Sequence, residues 1–93
     1  MKRLASNAEL YEYLTALFKI LEERGSKKLA EVVFHASQTA SGNMIAEFLG
    51  ESRIALRRVV KGGRRVLTKE ECDTAKDVLL QLEDVFEKRQ PRH

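Results

Sequence analysis

Few residues of this sequence have the types and spacing that metal binding or nucleophilic chemistry needs. Glu31 and His35 are four residues apart, which would place both on one face of a helix and supply two metal ligands. No third ligand has a suitable spacing, so we expect His35 to be a structural or surface histidine. Cys72 belongs to a helical apolar repeat, where a cysteine usually behaves as a small hydrophobic side chain rather than as a nucleophile. We therefore expect no bound metal and no cofactor.

The carboxylates also lack the arrangement of a catalytic pair. Glu22 and Glu23 are adjacent in sequence, as are Glu70 and Glu71, and adjacent residues of a helix point in different directions. The sequence has neither a glycine-rich phosphate loop after a strand nor a set of residues that resembles a Ser-His-Asp triad. These features predict a binding protein rather than an enzyme.

The charge of the chain is concentrated in one basic segment, residues 53–69. The whole chain carries a net charge of +3, and seven cations without any acid in this segment leave a net charge of −4 for the other residues. Cations that neutralise phosphates supply most of the non-specific affinity of proteins for nucleic acids. Cations also favour the C-terminal ends of helices, where they complement the helix dipole, so the cluster has a structural explanation as well. The seven cations are Arg53, Arg57, Arg58, Lys61, Arg64, Arg65 and Lys69.

Helices must position these charges, and two capping boxes predict where the first and last helices begin. Apolar residues recur at spacings of three and four along most of the chain, which is typical of amphipathic helices. In a capping box, a Ser or Thr side chain and that of a Glu three residues later each bond a free backbone N–H of the first turn. The pairs Ser6–Glu9 and Thr68–Glu71 have this spacing and predict helices over about 7–24 and about 69–88.

Glycine and other turn-forming residues predict the helix ends between them. Gly25 supplies a left-handed residue that ends the first helix, and Ser26 can cap the second. So short a joint predicts an antiparallel helical hairpin. Residues 38–43 are rich in Ser, Thr, Gly and Asn and predict a turn, and the pair Gly62-Gly63 is a firm helix stop.

These elements predict one all-α domain over residues 1–93, with an ordered core at about 6–88. A chain of 93 residues is too short for two independent cores. The predicted fold is a compact four- to five-helix bundle, in which a helical hairpin and a C-terminal helix flank either a central helix or a helix-turn-helix. No apolar run approaches the roughly 18 residues that span a bilayer, and a single cysteine agrees with a reducing compartment. We expect a cytoplasmic protein with no membrane partner.

Within residues 45–60, Ala46, Gly50 and Leu56 follow one another at spacings of four and six residues. This pattern resembles the helix-turn-helix of lac-repressor-type and phage-repressor-type DNA-binding proteins. In that motif a small residue lets two helices approach, a glycine four places later makes the turn, and an apolar residue six places after that packs the second helix. Ala46, Gly50 and Leu56 stand at these offsets. Glu51 departs from the pattern, because the residue after the turn glycine is usually apolar. The resemblance implies a small protein that binds double-stranded DNA, such as a transcriptional regulator.

The resemblance further implies a recognition helix over residues 53–61. It directs the first residues of that helix, together with Arg57 and Lys61, towards the major groove, where arginine suits guanine edges and phosphates. Basic residues beside them would contact phosphates, which fix register without reading sequence. The candidate nucleic-acid-binding residues are therefore Ser52, as the N-cap, with Arg53, Arg57, Arg58, Lys61, Arg64 and Arg65.

The same segment also fits one uninterrupted helix from Asn43 to Lys61. Its apolar residues would then share one face, and packing would offset the roughly 1 kcal/mol that a central glycine costs relative to alanine. In this alternative the chain is a four-helix bundle that binds another protein through the acidic face of the last helix or the basic loop, without any role in nucleic-acid binding.

Two aromatic residues of the first helix lie beside its core stripe. Tyr11 and Phe18 fall to the side of the leucines that repeat every three or four residues. They predict either a second packing face in a four-helix core or a homodimer interface. A homodimer would suit a DNA-binding protein that reads two half-sites.

Overall fold

Four α-helices follow one another in the computed structural model, which describes residues 6–42 and 45–89. One turn of 3-10 helix comes after the second α-helix, and the described residues contain no strand. The all-α bundle predicted from the sequence is confirmed, in its four-helix form. The α-helices are α1 (Asn7–Glu23), α2 (Lys27–Gln38), α3 (Ile45–Gly62) and α4 (Lys69–Arg89), and the 3-10 turn is Thr39–Ser41.

The joint between α1 and α2 ends α1 as the sequence predicts. Gly25 has a φ of 83°, in the left-handed region that favours glycine. The backbone N–H of Gly25 donates to the carbonyl of Glu22 at 3.1 Å, and that of Ser26 donates to the carbonyl of Leu21 at 2.9 Å. These two bonds satisfy carbonyls that the end of α1 would otherwise leave free. The side chain of Ser26, in contrast, makes no capping hydrogen bond to α2.

The core lies between the four helices and consists mainly of leucine, valine and alanine. All four leucines that repeat along α1 are buried, as their spacing predicts. Phe18 packs against this core from the side, and its ring contacts that of Phe34 on α2, with 5.3 Å between the ring centroids. Phe18 thus has the side-packing position predicted for it. The buried apolar residues are Leu10, Leu14, Leu17, Leu21, Ala30, Val33, Ala36, Phe48, Leu49, Ala55, Leu56, Val59, Leu67, Ala75, Val78 and Leu82.

α3 is one uninterrupted helix that passes through Gly50. The turn that a helix-turn-helix needs at this position is absent, and the structure has the alternative of a single helix. Ala46, whose small size would let two helices approach in the motif, is exposed. Burial on one face explains the continuity, because packing of that face outweighs the cost of about 1 kcal/mol that one glycine brings to a helix. The buried residues of α3 are Phe48, Leu49, Ser52, Ala55, Leu56 and Val59.

A tight turn after Gly62 ends α3 and leads to α4. The backbone N–H of Gly63 donates to the carbonyl of Val59 at 2.7 Å. A Cβ atom at Gly63 would lie 2.6 Å from that carbonyl oxygen, so this position has no room for a side chain. A Cβ atom at Gly62 would meet only Leu29, at 3.9 Å. The predicted stop at the glycine pair is confirmed, and Gly63 is the residue that the close approach requires.

The start of α4 is fixed both locally and to α1. Thr68 and Glu71 form the predicted capping box, since the backbone N–H of Thr68 donates to Glu71 at 2.8 Å and that of Glu71 to Thr68 at 3.1 Å. Arg24, at the end of α1, donates to the second carboxylate oxygen of Glu71 at 3.0 Å and to the carbonyl of Val66 at 3.0 Å. One arginine therefore holds α1, the α3–α4 loop and α4 together.

α4 presents an apolar face to the core, as its spacing predicts. Ala75 and Leu82 are buried, while Cys72 and Leu79 are half-buried against the core. The side chain of Phe86, which belongs to the same predicted stripe, lies outside the described residues, as does the tail predicted at 90–93. No helix in the described part of the chain is long and apolar enough to cross a membrane.

Candidate interaction surface on α3

The C-terminal half of α3 exposes one row of residues opposite its buried face. Ile54, Arg57, Arg58 and Lys61 are all exposed, and half of the Ile54 surface is accessible. Their spacings of three and four residues place them side by side on the helix. We call these four residues the α3 ridge. An exposed isoleucine among three cations makes this surface both apolar and basic.

One side of the α3 ridge borders a groove between α2 and α3. Leu29 and Val32 of α2 give this groove its apolar floor, and both are half-buried against the core. Lys28, Arg58 and Lys61 form a cationic rim. Three further residues line the groove, namely Glu31, His35 and Gly62.

The other side of the ridge borders a second groove, between α3 and α4. Ile54, Val60 and Leu79 line it with apolar surface, and the three cations of the ridge form its rim. Arg58 and Lys61 thus border both grooves. An elongated ligand lying along α3 would contact apolar floors and a cationic crest at the same time.

Arg57 is partly engaged within the molecule. Its guanidinium donates to one carboxylate oxygen of Glu83 on α4, from Nε at 3.1 Å and from Nη2 at 2.8 Å. The side chains of Arg57 and Glu83 are 54% and 31% exposed, so solvent screens this ion pair and it contributes little to stability. Its structural effect is to orient Arg57 along the rim of the second groove.

The loop after α3 adds two cations to the same end of the molecule. Arg64 and Arg65 are exposed, whereas Val66 is half-buried and Leu67 is buried. The two apolar residues anchor the loop to the core, and the arginines are left facing solvent.

Not all of the residues proposed for DNA contact lie on one surface. The structure brings Arg57, Arg58 and Lys61 together and places the exposed Arg64 and Arg65 next in the chain. Ser52 is fully buried on the core face of α3, so its assignment as an exposed N-cap that contacts DNA is wrong. Arg53 is half-buried, and no separate recognition helix begins there.

Comparisons with protein-family models, with curated proteins and with solved structures find no match. No related protein therefore bears on the resemblance of residues 45–60 to a helix-turn-helix, and the uninterrupted α3 has no turn at Gly50.

Sequence reasoning missed the contribution of α2 and α4 to this surface. Lys28, Leu29 and Val32 of α2 complete one groove, and Leu79 of α4 completes the other. Glu83 of α4 bonds Arg57. The α2 residues carried a weak signal, because a lysine pair directly before an apolar stripe marks a basic edge. Nothing in the local sequence of α4 indicates that Glu83 meets Arg57, since 26 residues separate them.

The other titratable residues of the described chain do not form a second site. Burial, with smaller effects of Cys72 and Glu71, raises the pKa of Tyr13 well above its ordinary value, so this hydroxyl stays protonated at neutral pH. Glu31 and His35 both line the groove between α2 and α3, but no three His, Cys, Asp or Glu side chains among the described residues are grouped to hold a metal ion.

Proposed function

We propose that this chain is a non-enzymatic binding module whose α3 ridge takes an acidic, amphipathic helix of a protein partner. The observation that carries the proposal is that Arg58 and Lys61 border two apolar-floored grooves at once. A helix laid along such a surface inserts apolar residues spaced by three and four into the grooves. Carboxylates beside those residues would then meet the cationic crest.

The two components of the surface have different roles in such binding. Apolar anchors in desolvated grooves supply most of the affinity of helix-in-groove complexes. Charges at the rim mainly select the partner and speed the encounter, because solvent screens them. Ile54 and the groove floors therefore serve affinity, and Arg58 and Lys61 select an acidic partner over a basic one.

A second candidate function is contact with the phosphate backbone of nucleic acid. The exposed Arg58, Lys61, Arg64 and Arg65 favour it, because several cations at one end of a molecule supply non-specific affinity for phosphates. The apolar floors, however, have no counterpart on a phosphate backbone. The half-exposed Ile54 at the centre of the ridge is likewise unexplained by phosphate contact. We therefore place the protein-binding function first.

Fluorescence anisotropy with designed probes tests the proposal. The first probe is a labelled peptide of glutamate and leucine with leucines at spacings of three and four, and the second has the same composition in a scrambled order. A labelled DNA duplex is titrated in parallel at low and moderate salt. We expect binding to the amphipathic peptide only, and a loss of about tenfold or more in Arg58→Glu, since tenfold corresponds to about 1.4 kcal/mol.

Lys19→Glu is the matched control, because it makes the same charge reversal on the exposed face of α1, away from the ridge. We expect it to bind the peptide as the wild-type protein does. Absence of peptide binding in the wild-type protein, in the charge variants and in Leu80→Arg of α4 would overturn the proposal. Duplex binding that falls steeply with salt and is lost in Arg58→Glu would put the nucleic-acid function in its place.

A further inference from the structure

The outward face of α4 is acidic around one exposed leucine. Asp73, Asp77, Leu80 and Asp84 are spaced by four, three and four residues, so they form one stripe along the helix. We call these four residues the α4 stripe. Leu80 leaves 64% of its surface accessible, the largest fraction among the large hydrophobic residues of the described chain. The α4 stripe has the composition that the proposed function requires of a partner helix.

The α4 stripe and the α3 ridge complement each other in charge and in apolar surface. The ridge holds three cations and Ile54, and the stripe holds three carboxylates and Leu80. A single exposed apolar residue is common on monomeric proteins. Ile54 and Leu80 differ from the other exposed apolar residues in that they lie on adjacent helices within patches of opposite charge, so each patch offers the other both an apolar contact and ion pairs.

The antiparallel packing of α3 and α4 gives this complementarity a symmetry. Arg57 bonds Glu83, and Val60 shares a groove with Leu79. Later residues of α3 therefore lie beside earlier residues of α4. The basic half of α3 is therefore level with the second half of α4, which carries Leu80 and Asp84, and Asp77 is level with the end of α3. A twofold axis parallel to the two helices lays the α3 of one copy over the α4 of the other.

We infer that the acidic helix bound by the α3 ridge is the α4 stripe of a second copy of this chain, in a twofold symmetric homodimer. The inference rests on the proposed function of the ridge and names its partner. Each copy supplies one ridge and one stripe, so two ridge–stripe contacts form within one dimer. Both surfaces are then occupied, and no third copy can bind through them. Leu80 enters the groove bordered by Ile54, and Arg58 and Lys61 meet carboxylates of the partner.

Charge reversal with complementation tests the dimer by light scattering during gel filtration. One variant reverses the ridge (Arg58→Asp/Lys61→Asp) and another reverses the stripe carboxylates on either side of Leu80 (Asp77→Lys/Asp84→Lys). Each alone brings like charges together at both contacts, so we expect monomers. An equimolar mixture restores opposite charges at both contacts, and we expect the dimer mass to return. The matched pair Lys19→Asp and Glu12→Lys, both exposed on α1, should stay dimeric.

An apolar variant tests the contact without changing the acidic residues. Leu80→Arg should be monomeric, while Val85→Arg, at the α4 residue that is 37% exposed outside the stripe, should remain a dimer. Far-ultraviolet circular dichroism and thermal unfolding confirm that each variant is folded. A wild-type protein that is monomeric at every concentration, with no dimer in the mixture of reversed variants, would overturn the inference.

The peptide assay on Leu80→Arg separates failure of the inference from failure of the proposed function. If the wild-type protein is monomeric and the acidic peptide still binds, the ridge serves a different protein and only the dimer is wrong. If Leu80→Arg is monomeric and binds the peptide more tightly than the wild-type dimer does, both proposals are supported, because the partner copy then competes with the peptide for the ridge. If neither dimer nor peptide complex forms, both are wrong.

Discussion

At the scale of single residues, two buried serines show that the free-energy cost of burying a hydroxyl depends on whether it has a hydrogen-bond partner. Ser37 on α2 is 4% exposed and donates to the carbonyl of Phe34 at 2.7 Å. Ser52 on α3 is fully buried among apolar core residues, and its hydroxyl has no hydrogen-bond partner among the described residues. A buried hydroxyl without a partner costs roughly 1–3 kcal/mol of desolvation. Ser52 is therefore a weak point of the core rather than a binding residue.

Replacing Ser52 by alanine should stabilise the protein by about 1 kcal/mol, because it removes an unsatisfied buried hydroxyl and improves helix propensity. Chemical denaturation measures the change in free energy of unfolding. A recognition-helix N-cap would give the opposite sign, with a loss of about 1 kcal/mol on the same substitution. Ser37→Ala is the control, and it should destabilise the protein because the carbonyl of Phe34 loses its hydrogen bond. Destabilisation by Ser52→Ala would contradict the assignment of this serine to the core.

At the scale of elements, helix ends are where this chain ties its helices to one another. The Schellman-type end of α1 and the capping box of α4 are local features, whereas Arg24 links α1 to α4 across 47 residues. The hydrogen bonds from Arg24, followed by that from the Thr68 backbone, lower the pKa of Glu71 from 4.5 to about 2. The same pairing raises the pKa of Arg24. Glu71 therefore has to be ionised for the start of α4 to be held.

The stability of the fold should fall in acid through Glu71. A carboxyl whose pKa is lower in the folded state stabilises the protein fully above its unfolded pKa, and this contribution is lost as the pH falls towards the folded pKa. The window for Glu71 runs from about 4.5 down to about 2. We expect Glu71→Gln to lower the free energy of unfolding at neutral pH and to flatten its decrease over this window, as measured by urea denaturation at each pH.

The matched control for this titration is Glu70→Gln, which removes a carboxylate of the same helical turn that is not part of the Arg24 and Thr68 hydrogen bonds. It should leave the slope of stability against pH close to that of the wild-type protein. An equal change in slope for both variants would show that general acid titration, and not the Glu71 pairing, sets the pH dependence.

Local sequence features predict the helices and their ends well. Features that depend on residues distant in sequence cannot be predicted from local spacing. The Ser6 N-cap, the Thr68–Glu71 capping box, the left-handed Gly25 and the stop at Gly62-Gly63 involve residues within a few positions of each other, so spacing alone identifies them. Gly50 was ambiguous, because its local cost favours a break while burial of the opposite face of α3 favours continuity, and only packing decides between them. The grooves beside the α3 ridge depend in turn on which helices pack on either side.

At the scale of the whole molecule, α3 and α4 pack side by side and carry opposite charges on their exposed surfaces. The basic segment and the acidic stripe follow one another in the chain, and the turn at Gly63 folds them side by side. A net charge of only +3 thus hides two patches of opposite sign. Such an arrangement offers a copy of the chain a surface that matches it in both directions.

Dimerisation through this surface should make the thermal stability depend on protein concentration, because unfolding of a dimer releases two chains. A tenfold dilution corresponds to about 1.4 kcal/mol per dimer, or about 0.7 kcal/mol per chain. For a domain of this size 1 kcal/mol shifts Tm by about 4–8 °C, so each tenfold dilution should lower Tm by roughly 3–6 °C. Circular dichroism melts across a hundredfold concentration range measure this slope. Leu80→Arg should melt at one temperature at every concentration, whereas Val85→Arg should follow the wild-type slope. If gel filtration shows a dimer but the wild-type Tm does not change with concentration, the dimer dissociates into folded monomers before they unfold. The contact would then not contribute to the stability of the fold.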